Sequence, residues 1–287
     1  MANTLYLLAA YDNSGRRYWR SPFVDLSRAP APVGSYDAST LTVMASFPYG
    51  PITTALEGWW QASDLTLAQN GPVLQWPDAS GNGMILRGDP TFFGSPPLMR
   101  NASANFGGQN AVYFQNSIAL NMDRPSGFIG GDGAQSCYVV FNPVFLPGIG
   151  AAFGFGGNNF PGSRVVCFVG DSGCGNGFVS FDSFGSGIGA ALSSGTHVAS
   201  FAMAQGAAWD TCDFRIDGVA QSNAGAGTTP LNISQPMVQF EIGGFANDSG
   251  GNYTGEVAEV LCYAANHGPT ERASVFSYLS QKYGLSL

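Results

Sequence analysis

The sequence has few charged residues and almost no lysine. Asp, Glu, Lys and Arg make up 10% of the 287 residues, where a typical soluble domain carries about 25%. There are 11 basic and 19 acidic residues, and Lys282 is the only lysine. The net charge of −8 leaves no cluster of cations for phosphate groups, which excludes non-specific binding to nucleic acid. So few charges also exclude a coiled coil or a charged helical bundle.

Long apolar runs and export signals are also lacking. No run of 18 apolar residues occurs, so no membrane span is predicted. The first ten residues have no basic stretch ahead of a short apolar run, so no signal peptide is predicted. Five cysteines without a CxxC pair predict free, mostly buried thiols in a chain made in the cytosol. A bridge between Cys167 and Cys174 across a hairpin stays open.

Glycine and aromatic residues are abundant instead. The chain has 40 Gly, 21 Phe, 11 Tyr and 5 Trp, and 45% of its residues are hydrophobic. From Trp59 onward, apolar runs alternate with Gly, Asn, Ser or Pro clusters, which predicts an all-β, antiparallel two-sheet sandwich. Asp217-Gly218 predicts a tight hairpin turn. The predicted strands are Ala111–Phe114, Ser136–Phe141, Arg164–Val169, Gly177–Phe181, Thr196–Met203, Cys212–Ile216, Met237–Ile242 and Glu256–Tyr263.

One helix is predicted, near the C-terminus. Pro269 suits the first helical position, and Gly284 suits the C-terminal stop. Phe276, Leu279 and Tyr283 are spaced i, i+3 and i+7, so they form one apolar stripe that can dock on a sheet.

The first 55 residues differ from the rest and predict an N-terminal arm, residues 1–55, ahead of one large domain, residues 56–287. Five prolines in the arm leave no room for a long helix. Up to residue 60 four arginines balance four acidic residues, so the remainder carries the whole net charge.

Two stretches resemble a known family. Trp60-Gln-Ala-Ser-Asp-Leu65 with Asp78-Ala-Ser-Gly-Asn-Gly83 resembles the opening of laminin-G-like, concanavalin A-like jelly-roll domains, and Gly255–Tyr263 with the C-terminal helix resembles their ending. The resemblance spans about residues 56–287. It implies a jelly-roll sandwich of the kind found in phage virion and bacterial surface proteins, and it does not fix a function.

The catalytic inventory predicts that the chain is not an enzyme. Jelly-roll glucanases need two convergent carboxylates. Glu256 and Glu259 are three apart, so strict strand alternation places them on opposite faces, and Glu241 has no acidic partner at i±2. His197 shares a strand face with Phe201 and is predicted to be a core or rim residue. Cys137, Cys212 and Cys262 are predicted to pack in strands.

Loop residues supply the candidate metal and glycan sites. Asp78, Asp171 and Asp248 lie in Asx-Gly loops that suit calcium on a sandwich rim, but such loops use the same residues simply to turn the chain. No cofactor is therefore predicted beyond this calcium alternative. The candidate carbohydrate platforms are aromatic residues in Gly/Asn-rich loops: Phe92, Phe93, Phe160 and Tyr253.

The N-terminal cluster Arg16, Arg17, Tyr18, Trp19 and Arg20 is the candidate docking site. Arginine and aromatic residues are enriched at protein interface hot spots, and arginine pairs bidentately with carboxylates. The alternative is a solvated hairpin.

Together these features predict a bacteriophage virion structural protein at the virion surface. The first hypothesis is a capsid decoration (cement) protein, a homo-oligomer with a trimer favoured, that docks on capsid or tail proteins through its arm. A tail-fibre, spike or head-fibre adhesin that binds host glycan is the second hypothesis. A carbohydrate-binding module is the third.

Overall fold

A computed structural model of the chain describes residues 9–11, 17–20, 50–88, 95–115, 120–123, 130–144, 148–156, 162–171, 177–182, 187–222, 227–233, 239–244 and 253–287. The chain divides into two compact units, Met1–Ile52 and Thr53–Leu287. In the first unit β1 (Ala9–Tyr11) and β2 (Arg17–Arg20) pair as an antiparallel hairpin.

The second unit is built from strands and ends in one helix. Its elements are β3 (Leu56–Gln61), β4 (Gln75–Pro77), β5 (Ile85–Gly88), β6 (Leu98–Arg100), β7 (Ala111–Gln115), β8 (Leu120–Asp123), β9 (Gln135–Pro143), β10 (Gly148–Gly156), β11 (Arg164–Asp171), β12 (Gly177–Asp182), β13 (Gly187–Leu192), β14 (His197–Met203), β15 (Asp213–Ile216), β16 (Val219–Ala220), β17 (Gln239–Ile242), β18 (Thr254–Tyr263) and α1 (Pro269–Tyr283). The all-β class with one C-terminal helix is confirmed.

The strands form two antiparallel sheets. Sheet I has the order β13-β12-β11-β10-β17-β8-β5-β4. Sheet II has the order β16-β15-β14-β9-β18-β7-β6, and β3 also pairs with β18. All eight strands predicted from the sequence are present, with ends displaced by at most two residues.

One hydrophobic core lies between the two sheets. Phe181 of sheet I packs on Phe201 of sheet II with ring centroids 4.9 Å apart, and Trp60 stacks on Phe240 at 4.4 Å. Trp76 is also fully buried. Burial of such rings contributes about 25 cal/mol per Å² of apolar surface, so these contacts hold the layers together.

A bulge in β18 changes which residues face the core. The register of β18 against β9 shifts between Val257 and Glu259, which adds one residue to β18. Val257 and Val260 both lie in the core, so Glu256 and Glu259 both lie on the outer face of sheet II. The prediction that these two glutamates face opposite ways is wrong, because strict alternation ignores the extra residue.

Helix α1 packs on that outer face as its stripe predicted. Val275, Phe276, Leu279 and Tyr283 are buried. The Phe276 ring meets the Tyr138 ring of β9 edge to face at 5.7 Å. Among the described helices, none combines the length and the apolar character that crossing a bilayer requires.

Candidate functional site

A row of residues crosses the outer face of sheet I. Each member lies directly opposite the next on the neighbouring strand, which puts all of these positions on one face. The row consists of Gln75, Arg87, Asn121, Glu241, Gly154, Val166 and Asp182. It runs across seven of the eight strands and is polar over its first four positions.

Glu241 is the buried centre of this row. It is fully buried although its neighbours Phe240 and Ile242, and not Glu241 itself, supply the core side of β17. Burying a carboxylate costs free energy that ordinary sheet packing does not require. Gln75 and Arg87, by contrast, are exposed.

Two glycines of β10 lie beside Glu241 and Arg164. Gly154 lies opposite Glu241, and Gly156 lies opposite Arg164 on β11. The outer face is covered here: a Cβ added at Gly156 would lie 2.4 Å from the Ser163 carbonyl oxygen, and Gly154 and Glu241 are both buried. Arg164 is buried, and its guanidinium lies 5.5 Å from the centre of the half-buried Phe168 ring. A buried carboxylate and a buried arginine over an aromatic ring therefore lie on the two strands that flank β10.

A second polar cluster surrounds His197. Its Nδ1 lies 2.7 Å from Asp217 Oδ2, and its Nε2 lies 3.0 Å from the Ser193 carbonyl oxygen and 3.4 Å from Ser193 Oγ. Burial alone would lower the pKa of His197, but the hydrogen bond and charge of Asp217 outweigh it and raise the pKa. Because both ring nitrogens face acceptors, the imidazolium form is favoured. His197 thus joins two turns and is not arranged as a base for Ser193.

A third cluster fixes α1 to sheet II. Glu259 is fully buried and accepts hydrogen bonds from Trp59 Nε1 at 2.5 Å and Tyr283 Oη at 2.6 Å. Lys282 Nζ forms an ion pair with Glu259 Oε2 at 2.7 Å. Trp59 turns to the helix side to reach this carboxylate, whereas its neighbour Trp60 lies in the core between the sheets.

A cavity of about 470 Å³ lies between α1 and the β15–β16 hairpin. Arg215 and Arg272 line it, and both pair with Asp213, at 2.7 and 2.8 Å. Arg272 also donates to the His267 carbonyl oxygen. Both guanidinium groups are therefore bound to acceptors of the protein itself.

Only some of the residues predicted as partner or glycan sites lie in the described part of the chain. Arg17, Tyr18, Trp19 and Arg20 form β2 in the first unit, and Arg16 lies outside the described residues. The glycan candidates Phe92, Phe93 and Phe160 also lie outside them.

Tyr253 lies in the core and does not offer a platform. It is 1% exposed, its ring meets the Phe114 ring at 6.3 Å, and its hydroxyl donates to the Glu256 carbonyl oxygen. Its ring therefore supports the sandwich interior instead of a glycan surface.

The calcium candidates are placed as follows. Asp78 accepts hydrogen bonds from the Trp59 and Ser80 backbone N–H groups at 2.8 and 2.9 Å, which is turn chemistry. Asp171 ends β11, and Asp248 lies outside the described residues. Within the described ranges, no three His, Cys, Asp or Glu side chains are grouped to hold a metal ion.

Comparison with known proteins finds likeness only among solved structures. No family model matches the chain, and no curated protein matches it. An arabinofuranosidase solved with arabinofuranosyl-α-1,2-xylobiose is 15% identical over 82% of this chain, with a TM-score of 0.59. A GH54 α-L-arabinofuranosidase soaked with a cyclic sulfate inhibitor is 15% identical over 83% of this chain, with a TM-score of 0.54. The chain spans about three fifths of the length of each of these enzymes, 60% and 61%.

A shorter neighbour is covered almost completely. Domain 4 of AbnA, a GH43 extracellular arabinanase from Geobacillus stearothermophilus, was solved with arabinotriose. It is 14% identical over 79% of this chain and 98% of its own length, with a TM-score of 0.52. At this identity the likeness concerns the fold.

These findings correct two predictions. The resemblance to laminin-G-like, concanavalin A-like domains is not upheld, because the neighbours are glycosidases and an arabinanase domain and no family model matches. Its motif residues have a local role instead: Asn82 Nδ2, for example, donates to the Glu57 carbonyl oxygen and ties the turn to β3. The prediction that the chain is not an enzyme is also overturned, since glycosidases share this fold. The argument behind that prediction placed Glu256 and Glu259 on opposite faces, whereas both lie on the outer face of sheet II.

The sequence did not reveal the row on sheet I. Glu241 was noted only as a glutamate without an acidic i±2 partner on its own strand. Its partners come from other strands, and Asn121 lies 120 residues away along the chain. The one signal available was a glutamate between two core residues, Phe240 and Ile242.

Proposed function

We propose that this chain is a carbohydrate-active protein that binds saccharide on the outer face of sheet I around Glu241. The observation that carries the proposal is a fully buried glutamate at the centre of a polar row on the outer face of a sheet. Two neighbours of the same fold were solved with saccharides bound, which supports the ligand class.

The residues around Glu241 have chemistry that suits a sugar. A carboxylate accepts hydrogen bonds from neighbouring hydroxyl groups, and an arginine donates to ring or hydroxyl oxygens. The partly exposed Phe168 ring beside Arg164 offers an apolar face.

The test combines binding and turnover. Titration calorimetry of the full chain with arabinotriose and other neutral oligosaccharides measures binding, and release of reducing ends measures hydrolysis. Glu241→Gln should weaken binding at least about tenfold, equivalent to about 1.4 kcal/mol. The control Glu57→Gln should leave binding unchanged. Equal binding by the wild type and Glu241→Gln would show that the saccharide site does not lie beside Glu241 on sheet I.

Hydrolysis is tested separately. If the wild type binds an oligosaccharide but releases no reducing ends from it, the chain binds saccharide without hydrolysing it.

A virion role is the second candidate function. The observation that favours it is the division of the chain at Ile52, with β2 of the first unit formed by Arg17–Arg20. We propose that the first unit docks on capsid or tail proteins of a phage particle and that the second, a sandwich with jelly-roll connections, is displayed as a homo-oligomer. Deleting residues 1–52 should abolish incorporation into particles and leave the second unit folded. Retained incorporation would contradict docking through this unit.

A further inference from the structure

The only lysine of the chain lies against a glutamine carboxamide and a buried glutamate. Lys282 Nζ is 2.6 Å from Gln61 Oε1 and 2.7 Å from Glu259 Oε2. The Lys282 side chain is 14% exposed, and that of Glu259 is fully buried. The amine of Lys282 thus contacts both the carboxamide oxygen of the half-buried Gln61 and the buried carboxylate of Glu259.

Three elements bring these groups together. Gln61 of β3 and Glu259 of β18 are directly opposite each other in the register, and Lys282 comes from the last turn of α1. Tyr278, one turn earlier on α1, accepts from Lys282 Nζ at 2.9 Å and donates to Glu259 Oε1 at 2.8 Å. The docking of α1 on sheet II therefore fixes the amine beside the carboxamide.

The carboxamide is also held from its other side. Ser63 Oγ donates to Gln61 Oε1 at 3.2 Å, and Gln61 Nε2 donates to Asp64 Oδ2 at 3.0 Å. Donors on the oxygen stabilise the negative charge that develops there when a nucleophile adds to the carbon. A carboxylate at the nitrogen lies where the leaving ammonia forms.

We propose that Lys282 and Gln61 form an intramolecular isopeptide bond, with Glu259 as the catalytic residue. Lys282 Nζ transfers one proton to Glu259 and moves out of its hydrogen bond with Gln61 Oε1. It then attacks Gln61 Cδ from above the carboxamide plane. The new Nζ–Cδ bond forms, and the Cδ–Nε2 bond breaks. Glu259 then passes this proton to Nε2, and Nζ loses a second proton, which is also transferred to Nε2. One ammonium ion leaves, so atoms and charge balance without an oxidant or another reactant.

The choice of residue supports a chemical role over a purely structural ion pair. Every other basic residue of the chain is arginine, which makes the better bidentate partner for a carboxylate. A lysine amine can act as a nucleophile, whereas the arginine guanidinium stays protonated. Lysine occurs only where a carboxamide stands beside it. The proposal is independent of the saccharide site, because these residues lie on the opposite sheet.

Intact-mass spectrometry of the full chain tests the proposal. The wild type should be lighter than its sequence mass by one ammonia molecule. Trypsin digestion should release a branched peptide that contains both Gln61 and Lys282. Lys282→Arg and Glu259→Gln should each have the mass of the unmodified chain. The control Gln281→Ala, which removes the exposed glutamine beside Lys282, should still lose one ammonia.

Two outcomes would overturn the bond. One is a wild-type chain that keeps its sequence mass after prolonged incubation in the folded state, which leaves an ion pair only. The other is a loss of ammonia that persists in Lys282→Arg, which assigns the loss to another group. Since mass is read directly, a variant that folds poorly does not obscure the wild-type result.

Discussion

Gly243, at the end of β17, is a sharp test of the packing between the sheets. Its φ of +84° lies in the left-handed region, and a Cβ built there would lie 2.0 Å from Cδ1 and Cε1 of Phe114. Phe114 belongs to β7 of sheet II and is fully buried. The strand that carries Glu241 therefore ends where only glycine fits against the opposite sheet.

Gly243→Ala should lose stability by two additive routes. Left-handed backbone costs an L-residue about 1–2 kcal/mol, and overpacking a core costs about 1–3 kcal/mol. A total of about 3 kcal/mol lowers the melting temperature of a unit of this size by about 6–12 °C. Gly83→Ala is the matched control, because its φ is +74° and nothing lies within 4 Å of the added Cβ. It should lose only about 1 kcal/mol, or about 2–4 °C.

A double-mutant cycle separates the two routes. Thermal unfolding followed by circular dichroism gives the stability of Gly243→Ala in the wild-type and Phe114→Leu backgrounds. The smaller leucine should relieve the clash and leave the backbone cost, with a coupling of about 1–2 kcal/mol. Equal losses for the two glycine variants, or the same cost of Gly243→Ala in both backgrounds, would refute the reasoning.

Three further predictions concern pH, α1 and the thiols. The pKa of His197 is raised in the folded state, so protonated His197 stabilises the fold below about pH 6.5, and this stabilisation is lost as pH rises through the folded pKa. His197→Gln should therefore lower the urea midpoint at pH 5.5 and change it little at pH 9. An equal effect at both pH values would contradict the ion pair with Asp217. Leu279→Ala should lower the free energy of unfolding, measured in urea, by about 2–5 kcal/mol, and the exposed control Val219→Ala should lower it by less than about 0.5 kcal/mol. Equal urea midpoints for the two variants would mean that α1 does not pack as described. Burial raises the pKa of the thiol of Cys137 and two other cysteines, so in a thiol-reagent titration at pH 8 the four buried cysteines should react only after unfolding, and rapid labelling of more than one thiol per folded chain would be inconsistent with their burial.

Local patterns predicted those elements whose signals are themselves local. Alternating apolar residues between Gly and Asn clusters predicted strands such as β9 and β14. The Asp217-Gly218 turn was predicted too, and φ values of +50° and +77° at these residues fit it. The sequence did not predict β10, because Gly148–Gly156 is rich in glycine and alanine and becomes a strand only by pairing with β11 and β17.

The sites escaped prediction because they depend on sheet order and register. The bulge that turns Glu256 and Glu259 to one face exists only relative to β9. Glu241 gains its neighbours because β17 lies between β10 and β8, an order that no local pattern encodes. Lys282 and Gln61 are 221 residues apart along the chain, so their contact follows from the docking of α1 alone.

The position of β18 has a consequence for biosynthesis. This strand, Thr254–Tyr263, pairs with β9 on one edge and with both β7 and β3 on the other. All three partners leave the ribosome long before β18 does. During translation, the strand edges that will pair with β18 therefore stay unpaired. Such edges favour pairing with other chains, and contacts of long sequence separation form slowly. We expect the second unit to fold only after synthesis of β18, and nascent chains halted before Thr254 to depend on chaperones.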